Sequence, residues 1–279
     1  MRYGCCVNMV TQMADVSGTD VLPVLKEIGY DYAELSLSHL CALDEEHFRN
    51  VCNDLLSVGL PVEVCNNFFP PSLSLISPSV DINLIKEYLE KAFRRAIELG
   101  IKVIVFGSGG ARSVPENIRF TEAFQRLVQI LRLINSYATS HKILIAIEPL
   151  RKNECNIINT YSEALILADM SNCSNVHCLL DIFHLFDEKE NISVIEKKPE
   201  RLVHVHFAEP KGRIFPIEAN KKYYSTIVQH IMQTGYNQRI SIEAYSKNFR
   251  NDASKALRLM KSIEEEIKNK KNFPKTLNI

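Results

Sequence analysis

Residues 81–110 read DINLIKEYLEKAFRRAIELGIKVIVFGSGG, and they decide the fold. Asp81 has the side chain of a helix cap. The residues after it are apolar at helical spacing, and Gly100 stands where a left-handed C-cap would close the helix. IKVIVF follows at once, a run rich in β-branched residues with almost no polar alternation. Such a run suits a parallel strand buried on both faces. Gly107, Gly109 and Gly110 then open a loop that lets the backbone approach a ligand closely. One helix thus feeds one strand, and the strand delivers a loop.

The same unit recurs in both directions along the chain. Apolar runs lie at Arg2–Asn8, Tyr32–Ser36, Pro61–Cys65, Ile101–Phe106, Ile143–Ile147, Val176–Leu180, Leu202–His206 and Arg239–Ala244. Helical spacing fits 44–59, 81–100, Thr121–Tyr137, Ser162–Met170, Lys221–Thr234 and Asp252–Lys268, and the intervals after the first and sixth runs leave room for one helix each. Strict alternation of strand and helix implies a parallel sheet with right-handed crossovers. Eight units in 279 residues predict an α/β fold, a single-domain (β/α)8 TIM barrel spanning 1–279 with a frayed tail at 270–279. A doubly wound open sheet would carry a Gly-rich phosphate turn after its first strand, and NMVTQMADVSG is not one.

Composition narrows the function classes. Lys+Arg 33 balance Asp+Glu 33, so no global field draws the chain to nucleic acid or an anionic membrane. Hydrophobic residues make up 46% and charged residues 24%, which excludes a disordered chain. Cys5, Cys6, Cys41, Cys52, Cys65, Cys155, Cys173 and Cys178 are scattered with no C-x-x-C pair, so a zinc ribbon is not expected and the thiols read as small apolar residues. The N-terminus shows no leader and no apolar run is long enough to span a membrane, so the expectation is a cytoplasmic protein.

Barrel chemistry sits at the C-terminal ends of the strands. There Glu148 follows ILIAI, Asp181 follows VHCLL with His184 three residues on, His206 ends LVHVH, and Glu243 follows ISI. Alternation puts His206 on one face with His204, and Val203, Val205 and Phe207 on the other; Glu243 shares a face with Ser241. Three carboxylates and a histidine converging on a barrel axis repel one another or shift strongly in pKa unless a cation joins them. This oxygen-rich set with one nitrogen suits Mn²⁺, Mg²⁺, Co²⁺ or Zn²⁺.

These motifs resemble the xylose-isomerase-like TIM-barrel superfamily, which includes the sugar isomerases/epimerases and endonuclease IV. They are most similar to its D-tagatose/D-psicose 3-epimerase branch. The residues that carry the resemblance are Glu148-Pro149-Leu150 with Glu154, Asp181-x-x-His184, His206-Phe207-Ala208-Glu209 followed by Arg213, and Glu243. The resemblance implies a metal-dependent isomerase that epimerises a carbon beside a carbonyl through an enediolate. Glu148, Asp181, His206 and Glu243 would hold one divalent metal, Mn²⁺ foremost. Glu148 and Glu243 would also be the acid and base, and Glu154, His184 and Arg213 would bind the sugar. Arg213 lies seven residues after His206 where the branch is expected to have six. A small-molecule sugar is the expected partner, with neither nucleic acid nor membrane, and a homodimer or homotetramer is expected.

The remaining loops leave alternatives open. Arg112 either contacts a sugar oxygen, carboxylate or phosphate, or braces a wide turn. Asn66 is a candidate for sugar hydroxyls. Phe68 and Phe69 either cover a sugar face or plug the barrel mouth. Glu34 either orients substrate or simply caps the barrel, with a role behind the site favoured, and Asn8 and Met9 line the pocket by position. A lyase of the inosose dehydratase type could use the same metal and bases. A sugar binder without activity would have no need of two opposed carboxylates. An endonuclease IV-like enzyme needs extra histidines that CNNFF, FGSGG and KGRIF do not supply.

Overall fold

The computed structural model describes residues 1–14, 17–77 and 80–272. Eight strands run β1 (Arg2–Cys6), β2 (Tyr32–Ser36), β3 (Val62–Asn66), β4 (Val103–Phe106), β5 (Leu144–Ile147), β6 (Val176–Asp181), β7 (Leu202–Phe207) and β8 (Arg239–Ile242). Each pairs in parallel with the next, and β8 returns to β1, so the sheet closes in sequence order. The long helices are α3 (Glu45–Val58), α4 (Ile82–Glu98), α6 (Phe120–His141), α7 (Tyr161–Ser171), α9 (Lys221–Gln233) and α10 (Phe249–Asn272). Shorter ones are α1 (Leu22–Ile28), α2 (Leu37–Ala42), α5 (Gly109–Arg112) and α8 (Ile182–Asp187). The expected barrel is the observed one. Helix α10 continues through Asn272, so residues 270–272 are helical; the rest of the expected frayed tail, 273–279, lies outside the described residues.

Local chemistry sets the helix ends. The Asp81 carboxylate accepts the N–H groups of Asn83 and Leu84, and Asp44 accepts that of His47. Thr160 and Glu163 form a reciprocal capping box at the start of α7. Each such cap contributes about 1 kcal/mol. Gly100, at φ +74°, turns the chain from α4 into β4.

The core has two layers. The larger packs the outward strand residues against the helices, with Cys5, Leu35, Phe106, Ile147, Leu180 and Phe207 among its members. The smaller fills the barrel itself with Tyr32, Val64, Val103, Val105, Ala146, Leu179 and Val203. Val203 corrects the alternation expected for β7. Cys178 and Leu179 of β6 pair with Leu202 and His204, so Val203 is an extra residue between them. This bulge turns Val203 into the barrel and leaves His204 and His206 facing inward too. A second bulge makes Glu63 the extra residue of β3, since Ala33 and Glu34 pair with Val62 and Val64. Gly4 has no side chain because the Tyr32 ring occupies that space, and the Tyr32 hydroxyl lies 2.8 Å from Ser241 Oγ.

Candidate active site

Four adjacent strands carry the central cluster. Glu148, Asp181 and Glu243 stand at the ends of β5, β6 and β8, and His206 lies within β7. All four are buried. One ligand atom from each falls within 4.8 Å of every other. His206 Nδ1 is 2.9 Å from Glu148 Oε1, 3.1 Å from Glu243 Oε2 and 3.9 Å from Asp181 Oδ2. One imidazole nitrogen therefore faces three carboxylates, an arrangement that only a proton or a cation satisfies. Ligands on opposite sides of a divalent ion stand about 4 Å apart, given bonds of about 2.1 Å. The donor set and its spacing fit such an ion.

The electrostatics of the cluster are asymmetric. Burial raises the Glu148 carboxyl, and Glu243 and Asp181 add to the rise against the opposing pull of His206. Glu243 is equally buried, yet Arg213 and His206 hold it well below the usual carboxylate range. Burial would lower His206, but Glu34, Glu243 and Glu148 hold it well above the ordinary histidine value. A β-carbon at Gly107 would meet Glu148 Oε2, so a larger residue there would displace that carboxylate from the cluster.

The residues expected to bind sugar gather on one side of this cluster. His184 accepts the Arg151 N–H at Nδ1, so its proton sits on Nε2. That Nε2 is buried without a hydrogen-bond partner, 3.7 Å from Asp181 Oδ2 and 3.9 Å from Glu154 Oε2. Arg213 donates from Nη2 to Glu243 Oε2 at 2.5 Å and lies 3.7 Å from both Asp181 and Glu154. Glu154 is also held by Arg151 Nε at 2.7 Å. Arg213 itself sits at φ +49°, just after Gly212 at φ +89°.

Asn66 and Arg112 lie apart from this group. Asn66 donates to Asn8 Oδ1 at 3.1 Å, and its own Oδ1 is buried and unpartnered. Arg112 is fully buried and donates to the carbonyls of Phe106 and Glu148 at 2.7 and 2.5 Å. It braces the backbone beneath Glu148, which is the turn-bracing alternative rather than a contact with open space. Phe68 and Phe69 are buried against Phe93, Tyr88 and Phe106, as plug residues would be.

Two features of the site escaped the sequence reading. Phe183 meets two guanidiniums, with Arg151 and Arg213 4.8 and 4.9 Å from its ring centre. Glu209 anchors the loop that carries Arg213: its N–H bonds the Ile214 carbonyl, and its carboxylate accepts from Asn220 and the Tyr224 hydroxyl. Phe183, one residue before His184, offered the only signal, since an aromatic there faces the same mouth. Glu209 was visible only as a motif letter. All eight cysteines are free thiols, and all but Cys52 are buried. No helix among the described residues is long and apolar enough to cross a membrane.

Comparison with known proteins agrees with this fold. The model of the family described as "Xylose isomerase-like TIM barrel" matches residues 22–264. A probable ketose 3-epimerase of Synechocystis is 25% identical over 191 residues, 65% of this chain and 63% of that protein. A D-psicose 3-epimerase of Enterocloster bolteae is 34% identical over 92 residues, 33% of this chain and 30% of that one. The chain thus aligns with less than two thirds of the length of either relative. A solved D-psicose 3-epimerase, crystallised with D-fructose, superposes with TM-score 0.81 at 17% identity, covering 94% of this chain and 99% of that one. A 3-keto-D-glucoside 4-epimerase of E. coli gives TM-score 0.75 at 17% identity, covering 95% and 99%. These structural likenesses establish the fold. The chain belongs to the xylose isomerase-like TIM barrel family.

Proposed function

From that membership, we propose that the protein is a metal-dependent sugar epimerase or isomerase that moves a proton at a carbon beside a carbonyl. The observation that carries this reading is the buried cluster of Glu148, Asp181, His206 and Glu243, with carboxylates from both β5 and β8. The relatives named ketose 3-epimerase and D-psicose 3-epimerase support it. In this reading the four residues hold one divalent ion, Mn²⁺ in the first instance, which supplies Lewis acidity toward negative charge developing on the substrate oxygens.

The protein's own residues do the rest. Glu148 and Glu243, at the ends of β5 and β8, act as base and acid in turn: one takes the carbon-bound proton and the other returns a proton to the opposite face of the enediolate. The His184 Nε2–H, buried and unpartnered, donates to a substrate oxygen. Arg213 and Glu154 bind hydroxyls beside it, and the Phe183 ring supports the Arg213 guanidinium through a cation–π contact. Asn66 offers its free Oδ1 to a hydroxyl, and Arg112 positions Glu148 from below.

The experiment is a screen of ketoses, sugar phosphates and 3-keto-glycosides in deuterated water, with label incorporation read by NMR. The expected result is deuterium at one carbon beside the carbonyl together with an epimeric product. Loss of water from the labelled substrate would instead support the lyase reading, which the same two carboxylates accommodate. No exchange on any of the three classes would sink the proposal.

A further inference from the structure

Beneath the cluster two imidazoles point at one carboxylate. His206 Nε2 is 2.9 Å from Glu34 Oε1, and His204 Nε2 is 2.9 Å from Glu34 Oε2. All three side chains are fully buried. An ionised carboxylate only accepts hydrogen bonds, so each Nε2 carries the proton. The hydrogen on His206 is thereby committed to the side away from the carboxylate cluster, and the Nδ1 lone pair is the one turned toward Glu148, Asp181 and Glu243. Strand geometry builds this arrangement. The bulge at Val203 sets the phase that brings His204 and His206 inward together, and Glu34 reaches them from β2, across the barrel.

His204 has a reason to be there. With His206 alone behind it, Glu34 would keep one oxygen buried without a donor, which is costly for an ionised carboxylate. That free oxygen could also turn toward the metal cluster. The second imidazole satisfies it and pins the carboxylate plane. The remaining nitrogen of His204, Nδ1, is buried without a partner.

We propose that Glu34, clamped between His204 and His206, is a positioning residue that fixes Nδ1 of His206 as the metal-binding atom. The proposal rests on reading the four-residue cluster as a metal centre. A carboxylate on the far nitrogen of a ligating imidazole sets its tautomer and ring orientation and raises its basicity. Glu34 therefore acts on the metal without touching it, and His204 acts on Glu34.

The test uses the full chain loaded with Co²⁺ or Zn²⁺ and does not depend on activity. Long-range ¹H–¹⁵N correlation spectra of the Zn²⁺-loaded, histidine-labelled protein report the His206 tautomer directly. Absorption titrations with Co²⁺ report affinity in wild type, Glu34→Gln, His204→Leu and His204→Gln. The expected wild-type spectrum has metal on Nδ1 and hydrogen on Nε2. Glu34→Gln, which keeps the shape and removes the charge, weakens Co²⁺ binding about 10–100-fold. His204→Leu weakens it in the same direction, while His204→Gln, whose amide still donates to Glu34, restores most of the loss. If Glu34→Gln does not fold, the two His204 variants carry the comparison alone. Metal on Nε2 of His206, or Co²⁺ affinities within twofold of wild type in both Glu34→Gln and His204→Leu, overturns the positioning role while leaving the metal centre standing. A wild-type protein that takes up neither ion overturns both.

Discussion

The two ends of the barrel treat charge in opposite ways. Where the strands begin, Glu63 receives both Arg2 and Arg239, the latter at 2.5 Å. Nearby, Glu264 receives the N-terminal ammonium, the Tyr3 hydroxyl and Lys268. Each of these carboxylates is met by cations that the chain supplies. Where the strands end, Glu34, Glu148, Asp181 and Glu243 are all buried, and the fixed cation that reaches them is the Arg213 guanidinium. Four carboxylates against one fixed cation leave a deficit that a divalent ion held by Nδ1 of a neutral His206 would largely offset. One end is electrostatically finished and serves stability. The other is left incomplete, and that shortfall is what a metal and a substrate would fill.

The contrast is sharpest under substitution of the two proposed acid/bases. Glu148→Gln and Glu243→Gln should each slow proton exchange beside the carbonyl by about 10²–10⁴-fold, with circular dichroism unchanged. If both retain the wild-type rate of solvent-deuterium exchange, the two-base assignment is wrong. Metal removal is the next largest effect. A chelator should abolish activity, and Mn²⁺ should restore it. With Mn²⁺ at 100 times its dissociation constant the folded state gains about 2.7 kcal/mol, read as a rise in Tm. A verified metal-free sample that keeps both its activity and its Tm would erase the difference between the two ends.

The finished end should answer in the opposite currency. Glu63→Gln removes the charge that both arginines meet and should destabilise the protein by roughly 0.5–1 kcal/mol in denaturant titrations, with kcat unchanged. A loss of kcat at constant stability would move Glu63 into the functional half. The smallest effect is one of pH. Burial raises the Glu264 carboxyl, but Lys268, the N-terminal ammonium and Tyr3 outweigh it and hold it below its ordinary value. Its stabilising contribution is therefore present above about pH 4.5, the ordinary glutamate range, and is lost as pH falls through the lower folded value. The Tm gap between wild type and Glu264→Gln should be constant near neutrality and close below pH 4. A gap that widens in acid would reverse the sign.

The fold was legible because strands buried on both faces cannot hide their apolar runs, and because glycines and caps mark the joints between units. The central cluster was legible for a related reason: the first ionisable residue after such a run stands at the barrel mouth. Alternation failed at Val203 and was silent on Glu63, since a bulge shifts the phase of a strand without leaving any mark in its composition. Arg112 could not be assigned from sequence because the same Gly-rich loop permits either an open or an inward-folded arginine. The Glu34 bridge to His204 and His206 spans 170 and 172 positions along the chain, and no local pattern encodes a meeting across the barrel.

The Tyr32 ring over Gly4, with its hydroxyl on Ser241, has a consequence for isotope tracing. Together with Val64, Val103, Leu179 and Val203 it makes the barrel a blind-ended vessel, sealed below the carboxylates. Any hydron that exchanges with solvent must enter and leave through the mouth, past the bound sugar. A slowly departing substrate would therefore hold its abstracted hydron captive. Substrate released again should then keep its original protium, returned by the carboxylate that took it, while product made in deuterated water carries deuterium from the opposite carboxylate.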